Sequence, residues 1–439
     1  MSPWIPMSEH AERRLRLMEA MAKDSIAILP AAPERTRNRD VLYPFRQDSD
    51  FHYLTGFGEP EAVLVLIPGR EAGESVLFCR ERNPEKEQWD GSITGQDGAI
   101  ETFGLDDAFP IADIDDILPG MIEGRSRVYY PLGRDQAFDT RVMDWVKLIR
   151  SKVRAGAQPP GEFVALEHLL HDLRLYKSAK EIKVMAEAGR ISAEAHCRAM
   201  KRARKGGYEY QLEAELIHTF MAHGARNTAY PSIVGSGANA CVLHYIENSA
   251  PLKEGDLVLI DAGCEVDCYA SDITRTFPVS GRFSDAQRAI YEVVLEAQYA
   301  AIDAVQPGHH WNMPHEAALE VLTQGLIDLG IIEGPLAEAL EKEAFRPFFM
   351  HRTGHWLGMD VHDVGDYKVG DAWRVMEPGM VMTVEPGLYI PPDNRDVDPQ
   401  WRGIGVRIED DVVVTRQGRK VLTDAVPKNI AEVEALMAE

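Results

Sequence analysis

Several things are scarce in this 439-residue chain, and each scarcity removes a class of protein. Cysteine is one. There are five, at 79, 197, 241, 264 and 268; the number is odd and no CxxC pair occurs. A disulfide framework is excluded and a reducing compartment is the simple reading. Cys264 and Cys268 have no second thiol pair to complete a zinc site. Long apolar runs are also missing. None approaches the ~20 residues that cross a bilayer, and the first 25 residues carry charge throughout with no apolar stretch of signal-peptide type. The expectation is a soluble, cytoplasmic protein with no membrane partner. Positive charge is short as well: Lys and Arg number 47 against 70 Asp and Glu, a formal net charge of -23. Phosphate binding needs the opposite balance, so nucleic acid is not the partner. Ligand carboxylates that a bound cation would neutralise are one source of such an excess. Internal repeats and low-complexity tracts are absent.

What is present suffices for one large core or for two or three domains, since 45% of the residues are hydrophobic. Residues 10–23 read as an amphipathic helix. DSIAILPA, FHYLTGF, AVLVLIP and SVLFCR read as strands, with helix near 134–153. AGAQPPG, from Ala155 to Gly161, is a loop, and a boundary is expected near 173. Residues 1–173 thus form a smaller mixed α/β domain and 174–439 a second one. In the second, Ser178 and Glu181 make a capping box, and Gly206-Gly207 stops the helix they open. Helices over 209–223, SDAQRAIYEVVLEAQYAAIDAV and HEAALEVLTQGLIDLG alternate with strand-rich stretches at 229–279 and from 348 onward. Long helices beside antiparallel-looking strand pairs give an α+β fold class rather than a βαβ array.

Chemistry enters through aspartates that interrupt apolar strands. VLIDAGCEVDCYASDITRTF ends an apolar run on Asp261 and places Asp272 eleven residues later. A hairpin turning near Val266-Asp267 pairs residues whose numbers sum to 533, so Asp261 faces Asp272. Two facing carboxylates need a proton or a cation between them. A turn cap and a solvated edge are the plainer alternative. VMTVEPGLYI places Glu385, and GVRIEDDVVV places Glu409, where Val or Ile would be expected. Glu385 precedes Pro386-Gly387, so of these two glutamates it alone has a turn explanation. Four such interruptions are costly unless cations are bound. HRTGHWLGMDVHDVG adds His351, His355 and His362, and VLHY adds His244. His351 and His355 have HExxH spacing, but Arg352 stands where the glutamate would be, which excludes a zincin. Four carboxylates and one imidazole match a two-metal site for oxygen-preferring cations such as manganese, cobalt or magnesium. Two divalent ions would offset the four charges and hold a hydroxide nucleophile.

These residues resemble the metallopeptidases of the pita-bread fold. DAGCEVDCYASDITRTFPVSG, HWLGMDVHDVG, VEPGLYI and GIGVRIEDDV are similar to bacterial Xaa-Pro aminopeptidase (aminopeptidase P) across 174–439. DFHYLTGF and AVLVLIP resemble that family's N-terminal domain more loosely. The resemblance implies a pita-bread (creatinase/aminopeptidase) catalytic domain preceded by the smaller α/β domain. It implies two Mn2+ ions, with Asp261 chelating one, Asp272 and Glu409 bridging both, and His355 and Glu385 completing the second. It implies catalytic or substrate-positioning roles for His244, His351, His362 and Arg407. His244 and His362 would face the substrate and oxyanion, His351 the proline side, and Arg407 the bridging Glu409. Glu385 would shuttle the proton. Trp89, in a loop NPEKEQWDG, would lid the site of a neighbouring subunit in a dimer or tetramer. The implied activity is removal of the N-terminal residue from peptides with proline second. Prolidase, restricted to dipeptides, is the near rival. A ligand-free binding module is the distant one, and the intact ligand set opposes it. The clearest departure from the family pattern is Arg352-Thr353, to which the resemblance assigns no ligand.

Overall fold

A computed structural model describes residues 4–439, and the chain divides into two compact units, Met1–Arg174 and Leu175–Glu439. Among the described residues no helix is long and apolar enough to cross a membrane.

The first unit is built on short β-rich runs. Ser25–Pro30, Val63–Leu66, Ser75–Cys79, Asp107–Pro110, Arg127–Tyr130 and Glu162–Ala165 form one six-stranded mixed sheet. Ile26, Ile28, Val65, Val76, Phe78 and Val128 pack with Leu118 and Trp145 of the helices Ile114–Ile122 and Gln136–Ser151. FHYLTGF is not a strand. Its first five residues lie in the helix Ser49–Thr55, whose first turn is capped by the Asp48 side chain accepting from Phe51 N at 3.0 Å. Gly56 ends it with φ 65°. An aspartate before and a left-handed glycine after outweigh the β preference of the aromatic residues between them.

The second unit is α+β with antiparallel pairing throughout its short sheets. The capping box at Ser178 opens the helix Ala179–Arg202, and Ser284 with Gln287 opens Asp285–Ala304 in the same way. The helices Glu209–Ala222 and Met313–Asp328 match the expected segments. Three strand groups carry the candidate ligands. Leu257–Asp261 lies between Ile233–Ser236 and Thr274–Pro278; Val381–Val384 pairs with Asp410–Thr415; Gly387–Tyr389 pairs with Gly405–Arg407.

The aspartate hairpin has a different register from the one expected. Glu265 pairs with Ala270 and Asp261 with Thr274, so partners sum to 535. The turn residues are Asp267 and Cys268, with φ of 50° and 66°. Two left-handed residues make the turn type that matches the twist of a tight hairpin, even without glycine. Asp272 then falls in the unpaired break between Tyr269–Ala270 and Thr274–Pro278.

Candidate metal centre

Each candidate carboxylate on a strand sits where the strand ends and backbone pairing gives way to side-chain chemistry. Asp261 closes Leu257–Asp261, Glu385 comes directly after Val381–Val384, and Glu409 lies between Gly405–Arg407 and Asp410–Thr415. His355 lies in a loop held by two bonds to Thr383. Thr383 N donates to His355 O at 2.9 Å, and His355 N donates to Thr383 Oγ1 at 3.0 Å. Glu409 N donates to Thr274 O, and Asp272 N to the Asp411 carboxylate, both at 3.1 Å. Four segments distant in sequence are therefore fastened through their backbones around one point.

At that point Asp272, His355 and Glu409 each offer a ligand atom within 4.8 Å of the others. His355 Nε2 is 3.4 Å from Asp272 Oδ2 and 3.7 Å from Glu385 Oε1. The opposite ring nitrogen, Nδ1, is 2.9 Å from the Trp356 carbonyl, which only accepts. That bond fixes the proton on Nδ1 and leaves Nε2 to face the carboxylates, as a metal-ligating histidine requires. Asp261 joins through Tyr230, whose hydroxyl bridges Asp261 Oδ1 at 2.6 Å and Asp272 Oδ1.

The protons of the neighbouring network can be assigned. Arg407 Nη2 donates to Asp261 Oδ2 at 2.6 Å, Nη1 to Tyr389 Oη at 3.1 Å and Nε to Thr274 Oγ1 at 3.1 Å. Thr274 Oγ1 in turn donates to Glu409 Oε2 at 2.6 Å. Arg407 therefore binds Asp261 directly and reaches Glu409 through Thr274. His351 Nδ1 donates to the Arg352 carbonyl at 2.7 Å, so its Nε2 accepts from Tyr389 Oη at 2.9 Å.

The electrostatics describe a site short of positive charge. Burial, reinforced by neighbouring carboxylates, raises Glu409 well above the carboxylate range, and burial lifts Glu385 to about 7 against the pull of His355 and Arg407. Burial also raises Asp261, partly offset by Arg407. Asp272 is lowered: burial opposes this, but the His355 hydrogen bond and charge outweigh it. The same pairing overrides burial at His355 and raises it to about 9. His351 is pushed down to about 3 by burial and then by Arg407, and burial lowers His362 too. Protons thus occupy places that divalent cations would take, and the donor set of carboxylate oxygens and one imidazole suits such ions. The Cys264 thiol is driven up to about 11 by burial, so it offers no thiolate near neutrality.

Asp261, Asp272, His355, Glu385 and Glu409 line one cavity of about 590 Å³, together with His244, His351, His362 and Arg407. The His362 ring stands edge-on to His355, centroids 4.4 Å apart. Residues 183–416 match the model of metallopeptidase family M24, and residues 10–129 match that of the aminopeptidase P N-terminal domain. The chain belongs to family M24. Within it, this M24 chain is similar over its whole length to aminopeptidases P. It is 47% identical to the Xaa-Pro aminopeptidase of Escherichia coli K12, covering 99% of this chain and 98% of that one. The solved Pseudomonas aeruginosa aminopeptidase PepP is 66% identical with TM-score 0.99, covering 100% and 99%. A zinc-substituted Escherichia coli aminopeptidase P in complex with product is 47% identical with TM-score 0.96, covering 99% and 98%. The two-domain aminopeptidase P fold of this M24 member is the pita-bread architecture with its N-terminal companion.

Two further points in this M24 chain depart from the sequence-based expectations. Trp89 is not in a loop; it lies on the helix Pro84–Asp90, capped by Asn83, and is 88% exposed. Tyr230, Thr274 and Tyr389 join the site without a sequence signal that singles them out. Tyr230 stands thirty-one residues before Asp261 with no periodic relation to it. Thr274 and Tyr389 have only a faint one, lying two residues after Asp272 and four after Glu385.

Proposed function

We propose that the protein removes the N-terminal residue from peptides with proline in the second position, using two divalent cations, Mn2+, held by Asp261, Asp272, His355, Glu385 and Glu409. The observation that carries this reading is the convergence of those five side chains on one cavity beside a fixed imidazole tautomer. Such ions, when bound, polarise a carbonyl and lower the pKa of water. The rest falls to the chain's own groups. Glu385 takes a proton from water and returns it to the leaving proline nitrogen. Thr383 Oγ1, 3.3 Å from Glu385 Oε1, orients that carboxyl. His244 and His362 face the substrate carbonyl from the cavity wall, and neutral His351 stands on the proline side. Arg407 holds Asp261 and, through Thr274, Glu409.

In this reading 1–173 is the N-terminal domain and 174–439 the catalytic domain. The protein works in the cytoplasm as a homo-oligomer, dimer or tetramer, in which Trp89 reaches a neighbouring subunit's substrate. The test is hydrolysis of Arg-Pro-Pro against Ala-Pro with added Mn2+. Release of arginine from the tripeptide supports an aminopeptidase. Activity confined to the dipeptide would make the protein a prolidase.

A further inference from the structure

Two guanidinium groups and no lysine line the cavity. Arg407 is buried and committed to Asp261, Tyr389 and Thr274. Arg352 is exposed and has no carboxylate within 4.0 Å among the described residues. An uncommitted cation in the cavity wall of a chain of net charge -23 has no structural charge to balance.

Its surroundings hold it out rather than let it wander. Nη1 donates to Asn312 Oδ1 at 2.7 Å, and the guanidinium lies over the Trp373 ring, 5.3 Å from its centroid. The backbone that displays it is pinned on both sides. The Arg352 carbonyl accepts from His351 Nδ1, and buried Thr353 bonds His315 Nδ1 through its hydroxyl at 2.8 Å. A Cβ on Gly354 would come within 2.1 Å of the Thr383 carbonyl, so the segment lies hard against Val381–Val384. A stacked guanidinium with some of its donors still unused loses little freedom when it takes a planar anion.

We infer that Arg352 binds a carboxylate carried by the third residue of the substrate, either the C-terminal carboxylate of a tripeptide or an acidic side chain. This rests on the proposed activity and on the place of His351, the neighbour of Arg352, on the proline side. The inference makes Arg352 a specificity residue that reads charge just beyond the proline.

The Mn2+-loaded enzyme is assayed on Ala-Pro-Ala, Ala-Pro-Ala-NH2 and Ala-Pro-Asp-NH2. Wild type should favour the two charged peptides over the uncharged amide in kcat/KM. Arg352→Ala should lower that preference about tenfold, through KM, the size of one charge-assisted contact. Arg352→Lys should restore part of it. Loss of preference for Ala-Pro-Ala alone identifies the C-terminal carboxylate as the ligand; loss for Ala-Pro-Asp-NH2 alone identifies the side chain. Lys368, 4.5 Å over the same Trp373 ring but outside the cavity lining, is the control. An equal loss in Lys368→Ala would mean a diffuse field and overturn the contact, as would an unchanged preference in Arg352→Ala. A wild-type enzyme inert toward all three peptides would instead sink the proposed activity.

Discussion

His355 and Glu385 carry the most direct consequence of the cavity's charge. In the metal-free protein burial lifts Glu385 from 4.5 to about 7, and the Asp272 partnership lifts His355 from 6.5 to about 9. Both folded values lie above the unfolded ones, so the protonated groups stabilise the metal-free fold at low pH. That stability is lost as pH rises, through about 7 for Glu385 and about 9 for His355. A cation competes for the same atoms. Mn2+ affinity should therefore climb between about pH 6 and 9, with about one proton or more released per chain near neutrality. Calorimetry in buffers of different ionisation enthalpy measures that number; zero would contradict the assignment. Thr274 makes the second case. Its hydroxyl accepts from Arg407 and donates to Glu409, so Thr274→Val breaks both bonds at constant volume. Activity should drop about 10- to 100-fold, the usual cost of losing a group that orients a ligand. Thr274→Ser should recover most of it in the same kinetic assay.

Among elements, the strand ends are legible in the sequence and the hairpin between them is not. Asp261, Glu385 and Glu409 stand out because each breaks an apolar strand, a disagreement between local preference and charge that marks a functional position. The register is hidden because Asp267 and Cys268 turn the chain with positive φ and no glycine to announce it. Tyr230 is invisible because its partners are chosen by the sheet, not by spacing. FHYLTGF misleads because one cap, Asp48, lies outside the stretch and the other, Gly56, sits inside it beside the aromatic Phe57. The capping box at Ser178 is plain in the sequence and gives a clean control. Ser178→Ala should cost about 1 kcal/mol. That should lower Tm by about 2 °C in a unit of this size, with kcat/KM near the wild-type value. Scanning calorimetry and the peptide assay check the two halves. The loop carrying His355 and His362 is anchored differently. Lys177 Nζ donates to Asp363 Oδ2 at 2.8 Å, both side chains 1% exposed. Lys177→Met takes the ammonium from a buried carboxylate and should cost about 3–5 kcal/mol in chemical denaturation. Replacing both residues by apolar ones should cost far less.

Across the molecule, the α+β character of the larger unit is readable from the long helices that alternate with antiparallel strands. The net charge of -23 finds part of its meaning in the cavity, which four carboxylates line together with His355. Everything proposed for this chain depends on that gathering being a seat for two cations. Anomalous diffraction from crystals grown with Mn2+ tests it most directly. The account predicts two manganese peaks per chain, both within coordinating distance of Asp272 and Glu409, one beside Asp261 and the other beside His355 and Glu385. A cavity without peaks, or manganese bound away from these five residues, would contradict it.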